Sequence, residues 1–150
     1  MMVVNGKTLP WERLISTIHL NLLVRIVSDI DPEILLLSRK LKSSKGMIIN
    51  LGLKQTPLHY NKTWIYFPDR NIHFYRVGFY SNVQPLLAPP GYSSMYVECS
   101  PLFFNNKKEA LELIPVVINE LIQLGFIEKN EDIVTKRAIY LDNNYCLPYI

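Results

Sequence analysis

The spacing of apolar residues along the chain predicts short β-strands interrupted by helices. Segments in which apolar and polar residues alternate, or in which a short apolar run ends at turn residues, indicate strands. The predicted strands are residues 1–5, 11–18, 46–53, 64–67, 73–82, 93–100 and 133–141. The almost continuous apolar run of residues 46–53 further indicates a strand in the interior of a sheet.

Helical spacing of apolar residues covers residues 20–27, 31–42 and 107–124. In the second segment Asp31 is a capping residue, and Pro32 occupies the first turn, where proline loses no hydrogen bond. In the third segment Pro115 either kinks the helix or marks the first turn of a shorter one. Gly125 is expected to end that helix in a left-handed cap.

The order of these elements predicts an α+β fold with an antiparallel or mixed sheet and helices packed on one face, because consecutive strands are joined by short turns. The proline-rich segment 84–91 separates two of the strands. It is long for an ordinary connection, and we expect a surface or site-forming loop there.

An aromatic hairpin is the most distinctive stretch, and the turn 68–71 joins its two strands. Strict alternation places on one face His73, Tyr75, Val77 and Phe79, and on the other face Phe74, Arg76, Gly78 and Tyr80. Arg76 must reach solvent, a carboxylate or an anionic ligand, since an unpaired buried guanidinium is very costly. The pattern alone leaves open an ion pair, a surface arginine and a ligand contact.

Composition narrows the class of protein. The chain of 150 residues is 49% hydrophobic and 19% charged, which favours one packed domain over disorder. The net charge of +3 is too small and too dispersed to indicate nucleic-acid binding. The apolar runs are too short for a membrane span, and the N-terminus does not resemble a signal peptide. We therefore expect a soluble, cytoplasmic protein, and its slightly positive mean hydropathy suggests that some apolar surface meets another polypeptide.

The sequence shows none of the common catalytic or metal-binding motifs. No two of the six glycines are spaced Gly-x-Gly, so no dinucleotide fingerprint is present. The three histidines and two cysteines lack metal-ligand spacing, so neither a metal site nor a catalytic residue is predicted. Cys99 alternates with Val97 and is expected in the core, and Cys146 lies far from it in sequence. We expect both cysteines to be reduced, and the sequence leaves a disulfide between them as the alternative.

Several polar and aromatic residues could instead form a binding surface for an anionic or aromatic small molecule. Tyrosine and tryptophan offer flat apolar faces with polar tips, and arginines beside them bind phosphate or carboxylate groups. The candidate binding residues are Trp64, Tyr66, Tyr75, Arg76, Asn82, Arg137 and Tyr145. The alternative is that the aromatic residues belong to the core and the arginines to its rim.

Several of these motifs, in order along the chain, resemble the FAD-dependent amine oxidase and protoporphyrinogen oxidase superfamily, and especially the eukaryotic-type UDP-galactopyranose mutases. The motifs are Trp64–Pro68, Phe74–Arg76, Ser81–Asn82 with Pro85, Tyr96–Ser100 and the Leu-Gly-Phe segment within 121–127. The segment 14–18 resembles the strand by which such proteins leave the flavin domain. Arg137 lies where the family often has a basic strand residue, and 145–149 resembles a Tyr-Pro-x-Tyr segment.

This resemblance implies that residues 1–18 are strands from the edge of a flavin domain and that residues 19–150 form a substrate-binding domain. The family's glycine-rich FAD-binding unit has no counterpart here, so FAD is expected only together with the missing segments or a partner chain. The isolated chain, whether truncated or half of a split enzyme, would then be inactive.

In a mutase the reduced flavin would act on the anomeric carbon of a UDP-sugar. The resemblance then implies that Arg76 or Arg137 contacts the diphosphate. It also implies that the uridine or sugar is faced by Trp64, Tyr66 or Tyr75. The alternative function is a non-catalytic α+β module that binds a ligand or a protein.

Overall fold

A computed structural model describes residues 2–54 and 61–147, which form two compact units that divide between Lys42 and Ser43. The predicted division at residue 18, with a flavin-domain edge before it, stays a prediction. No helix in the described part of the chain is long and apolar enough to cross a membrane.

The first unit begins with a two-stranded antiparallel hairpin, β1 (Met2–Val4) and β2 (Lys7–Leu9). An Asn-Gly pair at the tip, the strongest short-range hairpin signal, sets this register. The predicted strand over 11–18 is wrong, because the hairpin turn pairs Lys7–Leu9 with β1 and Pro10 follows directly. Residues 11–18 have no regular secondary structure.

Two short helices complete this unit, α1 (Leu20–Ile26) and α2 (Pro32–Ser38). The Asp31 side chain accepts a hydrogen bond from the Glu33 amide at 2.8 Å, which confirms the predicted cap. The helix α2 ends four residues earlier than expected. The amide of Lys40 bonds to the carbonyl of Leu37, so the chain tightens into a three-residue turn instead of continuing the helix.

The second unit contains a five-stranded antiparallel sheet. Its strands are β3 (Gly46–Leu53), β4 (Trp64–Tyr66), β5 (Phe74–Phe79), β6 (Ser93–Cys99) and β7 (Ile133–Leu141). Their order is β4-β5-β6-β3-β7, so β3 is an interior strand, as its apolar run predicted. The aromatic hairpin is the pair formed by β4 and β5.

The helices of this unit are α3 (Tyr80–Val83), α4 (Lys107–Glu112) and α5 (Ile114–Gln123). Pro115 lies in the first turn of α5, so the shorter-helix alternative is the correct one. The strand predicted to reach residue 82 ends at Phe79, because α3 begins at Tyr80. Three-residue helical turns occupy Pro85–Leu87, Pro101–Phe103 and Asn130–Asp132.

The hydrophobic core lies between one face of the sheet and α5, which confirms the predicted α+β class with helices on one face. Phe74, Val77 and Phe79 from the sheet and Val117 and Leu121 from α5 are fully buried in it. Gly125, with φ of 76°, ends the helical conformation after α5, and the Phe126 amide donates to the Leu121 carbonyl at 2.8 Å. This is the predicted left-handed cap.

Cys99 also lies in this core, as alternation with Val97 predicted. Burial raises the pKa of its thiol to about 12, and the negative charge of Glu120 contributes to the shift. The thiol is therefore protonated at neutral pH, which supports a structural role for Cys99.

Replacing Asn106 with alanine is expected to lower the free energy of unfolding by about 1 kcal/mol, because Asn106 caps α4. Its side-chain oxygen accepts from the Glu109 amide at 3.0 Å. Urea unfolding measures the effect. The control Asn119→Ala lies on the exposed face of α5 and should be neutral or slightly stabilising, since alanine has the higher helix propensity. Equal losses in the two variants would contradict this account.

Candidate functional site

The sheet face opposite the core carries polar and aromatic side chains, and we refer to it as the open face. Cross-strand pairing places two rows of residues on it. One row is Tyr66, Arg76, Glu98, Ile48 and Ile139, and the other is Trp64, Gly78, Tyr96, Asn50 and Arg137. Trp64 and Tyr66 are 54% and 58% exposed, so the aromatic hairpin is not sealed inside the protein.

A β-bulge in β5 changes which residues reach this face. Phe74 pairs with Cys99 and Arg76 pairs with Glu98, so Tyr75 is an additional residue in β5. Strict alternation is therefore wrong at this point. Phe74 turns into the core, whereas Tyr75 and Arg76 both reach Glu98 on the open face.

Arg76 is held by a carboxylate and a phenol. Its Nε donates to Glu98 Oε1 at 2.9 Å, its Nη2 donates to the same oxygen, and its Nη1 donates to the Tyr66 hydroxyl at 2.9 Å. The guanidinium also lies 5.5 Å and 5.9 Å from the ring centres of Tyr66 and Tyr96. The ion pair, one of the alternatives left by the sequence, is therefore present.

The environment fixes the charges of this cluster. Burial, followed by the hydrogen bond to Glu98, raises the pKa of Tyr75 far above its usual range, so its hydroxyl stays protonated. Burial alone would lower the pKa of Arg76, but hydrogen bonds to Glu98 and Tyr66 outweigh it and the pKa is raised. The cluster thus carries one positive and one negative charge, which largely cancel.

Aromatic rings continue from this cluster along the open face. The Tyr96 ring lies directly over Gly78, where a Cβ atom would come within 2.1 Å of the ring. The Tyr80 ring centre is 4.7 Å from that of Tyr96, and its hydroxyl donates to Asn50 Oδ1 at 3.1 Å. The pKa of Tyr80 is raised by burial and by Glu98. These contacts connect the Arg76 cluster to the strand pair that carries Arg137.

A cavity of about 380 Å³ lies at that end of the open face, and we call it the Arg137 cavity. Its floor includes Asn50, Arg137 and Val134 from β3 and β7, and its wall includes Leu87 and Pro89 from the predicted proline-rich loop. The loop is fixed to the sheet by Ser94, whose Oγ donates to the Leu87 carbonyl at 3.0 Å. Part of this loop, Pro85–Leu87, forms a helical turn, although no regular structure was expected.

Among the described residues, no group of three or more histidine, cysteine, aspartate or glutamate side chains is placed to hold a metal ion. Anionic ligands would meet two arginines on the open face. Arg76 is paired with Glu98, whereas Arg137 forms no ion pair within the described part of the chain.

No family model matches the chain. Its fold is similar to part of a UDP-galactopyranose mutase. A crystal structure of the reduced mutase matches with a TM-score of 0.69 and 27% sequence identity, over 97% of this chain. The match covers 32% of the mutase chain, so this protein spans about a third of the mutase's length. This neighbour agrees with the resemblance seen in the sequence.

A second similar structure is the PF1083 protein from Pyrococcus furiosus, with a TM-score of 0.52 and 19% identity. The match covers 73% of this chain and 26% of the PF1083 chain. At this identity the likeness shows the fold alone. The mutase is therefore the more informative neighbour.

Within this mutase-like fold, the predicted site residues fall into separate places. Tyr66, Tyr75 and Arg76 come together around Glu98, with Trp64 beside them on the open face, while Arg137 lines the cavity named after it. The other two candidates lie apart from the Arg137 cavity.

Asn82, in α3, donates to the Lys62 carbonyl at 2.6 Å and faces a different cavity. Tyr145 follows β7, is half exposed, and adds to the raised pKa of Tyr75 after burial and Glu98. The binding roles of all seven residues stay predictions.

Sequence reasoning missed the residue that organises the cluster, Glu98. A glutamate within the apolar strand 93–100 was the available signal, since a buried carboxylate requires a partner. Its pairing with Arg76 depends on the β5–β6 register, which joins residues 22 positions apart. Tyr96 and Asn50 were missed for the same reason.

Proposed function

We propose that this protein is the substrate-binding portion of a mutase-type flavoprotein, in which a flavin held by other polypeptide carries out the chemistry. The mutase match over 97% of this chain supports the proposal most directly. The open face supports it independently, because it presents exposed aromatic rings beside guanidinium groups. Such a surface suits a ligand that combines a ring with an anionic group.

The Arg76 cluster has capacity left for a ligand. A guanidinium has five N–H donors, and the hydrogen bonds to Glu98 and Tyr66 use three of them. Two donors remain for oxygens of a diphosphate, and Trp64 and Tyr66 offer exposed rings beside them. Glu98 then positions the guanidinium and limits the net charge of the site.

The cofactor of the complete protein would be FAD, and we propose that residues outside these 150 bind it. Nothing in this sequence resembles the glycine turn that holds a dinucleotide pyrophosphate. The first unit offers a surface for that partner, because Ile15, Ile26 and Leu36 are each more than half exposed. Apolar side chains exposed in such density are typical of an interface.

Titrating the isotope-labelled protein with UDP tests this proposal by NMR. The indole N–H of Trp64 and the Nε–H of Arg76 are expected to shift in a saturable way, with millimolar affinity because the flavin-side wall is contributed elsewhere. Backbone amides of α5, on the other face of the sheet, should not shift. If UDP produced no saturable shifts, or shifts confined to α5, the mutase-type proposal would be wrong.

Matched arginine variants locate the interaction. Arg76→Lys is expected to weaken UDP binding about tenfold, since lysine keeps the charge but loses the planar fork that binds phosphate oxygens. Arg70→Lys, an exposed position in the turn of the same hairpin, should leave the affinity unchanged. Thermal melts of both variants separate an effect on binding from an effect on folding. Equal affinities in the two variants would argue against a diphosphate contact at Arg76.

A further inference from the structure

We infer that the Arg137 cavity is a second binding site, which takes a small aromatic carboxylate. It lies on the same face of the sheet as the Arg76 cluster but has its own walls, made by β3, β7 and the proline-rich loop. The inference concerns this cavity alone and does not depend on the flavin.

Arg137 gives the cavity a positive charge. Arg137 and Asn50 are paired across β3 and β7, and both line the cavity. Asn50 uses its Oδ1 to accept from Tyr80, which leaves its amide group to donate. Among the described residues that line the cavity, none is acidic and Arg137 is the charged one. An anion is therefore the complementary ligand for this cavity.

The number of charges favours a single carboxylate. One guanidinium binds a carboxylate through two parallel hydrogen bonds, and the Asn50 amide is placed to add a third. A diphosphate would bring two or more negative charges to a cavity lined by a single described cation. A monoanion matches this end of the cavity better.

Shape and polarity define the rest of the ligand. Away from Arg137 the lining is largely apolar and includes Leu87, Ala88, Pro89 and Val134. A volume of about 380 Å³ lies within the range of small-molecule sites and fits a fused two-ring system. The wall is held in place, because Ser94 bonds both to Leu87 in the loop and to Ser81 in α3. The cavity is thus formed before a ligand enters.

Titration with 2-naphthoate and its neutral isostere, naphthalene-2-carboxamide, tests the inference by ligand fluorescence. The wild-type protein is expected to bind the carboxylate at least tenfold more tightly than the amide. Arg137→Gln should abolish that preference. The control Lys136→Gln removes a charge from the same strand, at the position paired with Leu51 on the core side, and should keep the preference.

Two further experiments, a blocking substitution and a competition titration, locate the site. Ala88→Phe places a ring in the cavity and should prevent binding of both naphthalene compounds, while its melt reports folding. UDP, at concentrations that shift the Trp64 indole resonance, should not displace 2-naphthoate. The inference is overturned by equal affinity for acid and amide, by equal losses in Arg137→Gln and Lys136→Gln, or by displacement with UDP. Failure of UDP to bind would leave this result intact, so the two proposals are tested separately.

Discussion

Replacing Glu98 with alanine is expected to lower the free energy of unfolding by about 3 kcal/mol, because it removes one partner of a largely buried ion pair. The Glu98 side chain is 8% exposed and that of Arg76 is 22% exposed. Without the carboxylate, the guanidinium loses two of its three hydrogen bonds and the Tyr75 hydroxyl loses its acceptor. The guanidinium is too enclosed to recover full hydration, so most of the lost interaction is not replaced.

Urea unfolding followed by circular dichroism measures this loss. Glu112→Ala is the matched control, since Glu112 forms a long, exposed ion pair with Lys108 at 3.9 Å and should matter by less than about 0.5 kcal/mol. Arg76→Ala should cost much less in the Glu98→Ala protein than in the wild type, because its partner is already absent. Strict additivity of the two substitutions would show that the ion pair does not stabilise the fold.

Gly78→Ala is expected to destabilise the protein by about 2 kcal/mol, through overpacking against Tyr96. The new methyl group would lie within 2.1 Å of the tyrosine ring, which is confined by Tyr80 at 4.7 Å and by the guanidinium of Arg76 at 5.9 Å. The ring must move, and its contacts with both neighbours weaken. Replacing a glycine in a strand with alanine ordinarily raises the free energy of unfolding. A decrease on Gly78→Ala would therefore point to the clash with Tyr96.

A Tyr96→Ala background tests the cause. In that background Gly78→Ala should be neutral or stabilising, since the obstructing ring is gone. Thermal unfolding of the four proteins completes the double-mutant cycle. If Gly78→Ala cost the same free energy with and without Tyr96, backbone strain and not the ring would be the reason.

Local patterns predicted most of the second unit. Alternation with Val97 placed Cys99 in the core, and both residues are buried. The uninterrupted apolar run of β3 predicted an interior strand, because such a strand needs apolar residues on both sides. The cap at Gly125 followed from chemistry within a few residues.

Features that depend on neighbouring strands could not be predicted in the same way. The bulge at Tyr75 reverses the faces of Tyr75 and Phe74, and it is visible only in the register with β6. One additional residue moves every earlier side chain in the strand to the other side. Pairing of Arg76 with Glu98, and of Asn50 with Arg137, likewise required the sheet order.

The candidate site was predicted in composition but not in arrangement. The aromatic residues and arginines selected from the sequence lie partly together in the structure, because Tyr66, Tyr75 and Arg76 form one cluster, and their binding roles stay predictions. No local pattern separates Arg76, which is paired with Glu98, from Arg137, which lines a cavity without acidic residues among its described lining. That distinction depends on one carboxylate and on the position of a loop.

The two faces of β5 have different consequences for how such a protein can diversify. Val77 and Phe79 point toward α5, while Arg76 and the neighbouring tyrosines point away from it. With the binding roles proposed above, substitutions at Trp64 or Arg137 would alter which molecules are recognised without disturbing the core beneath them. Glu98 is the exception, because it both positions Arg76 and stabilises the fold. A substitution at Glu98 that suits a new ligand would therefore also weaken the fold.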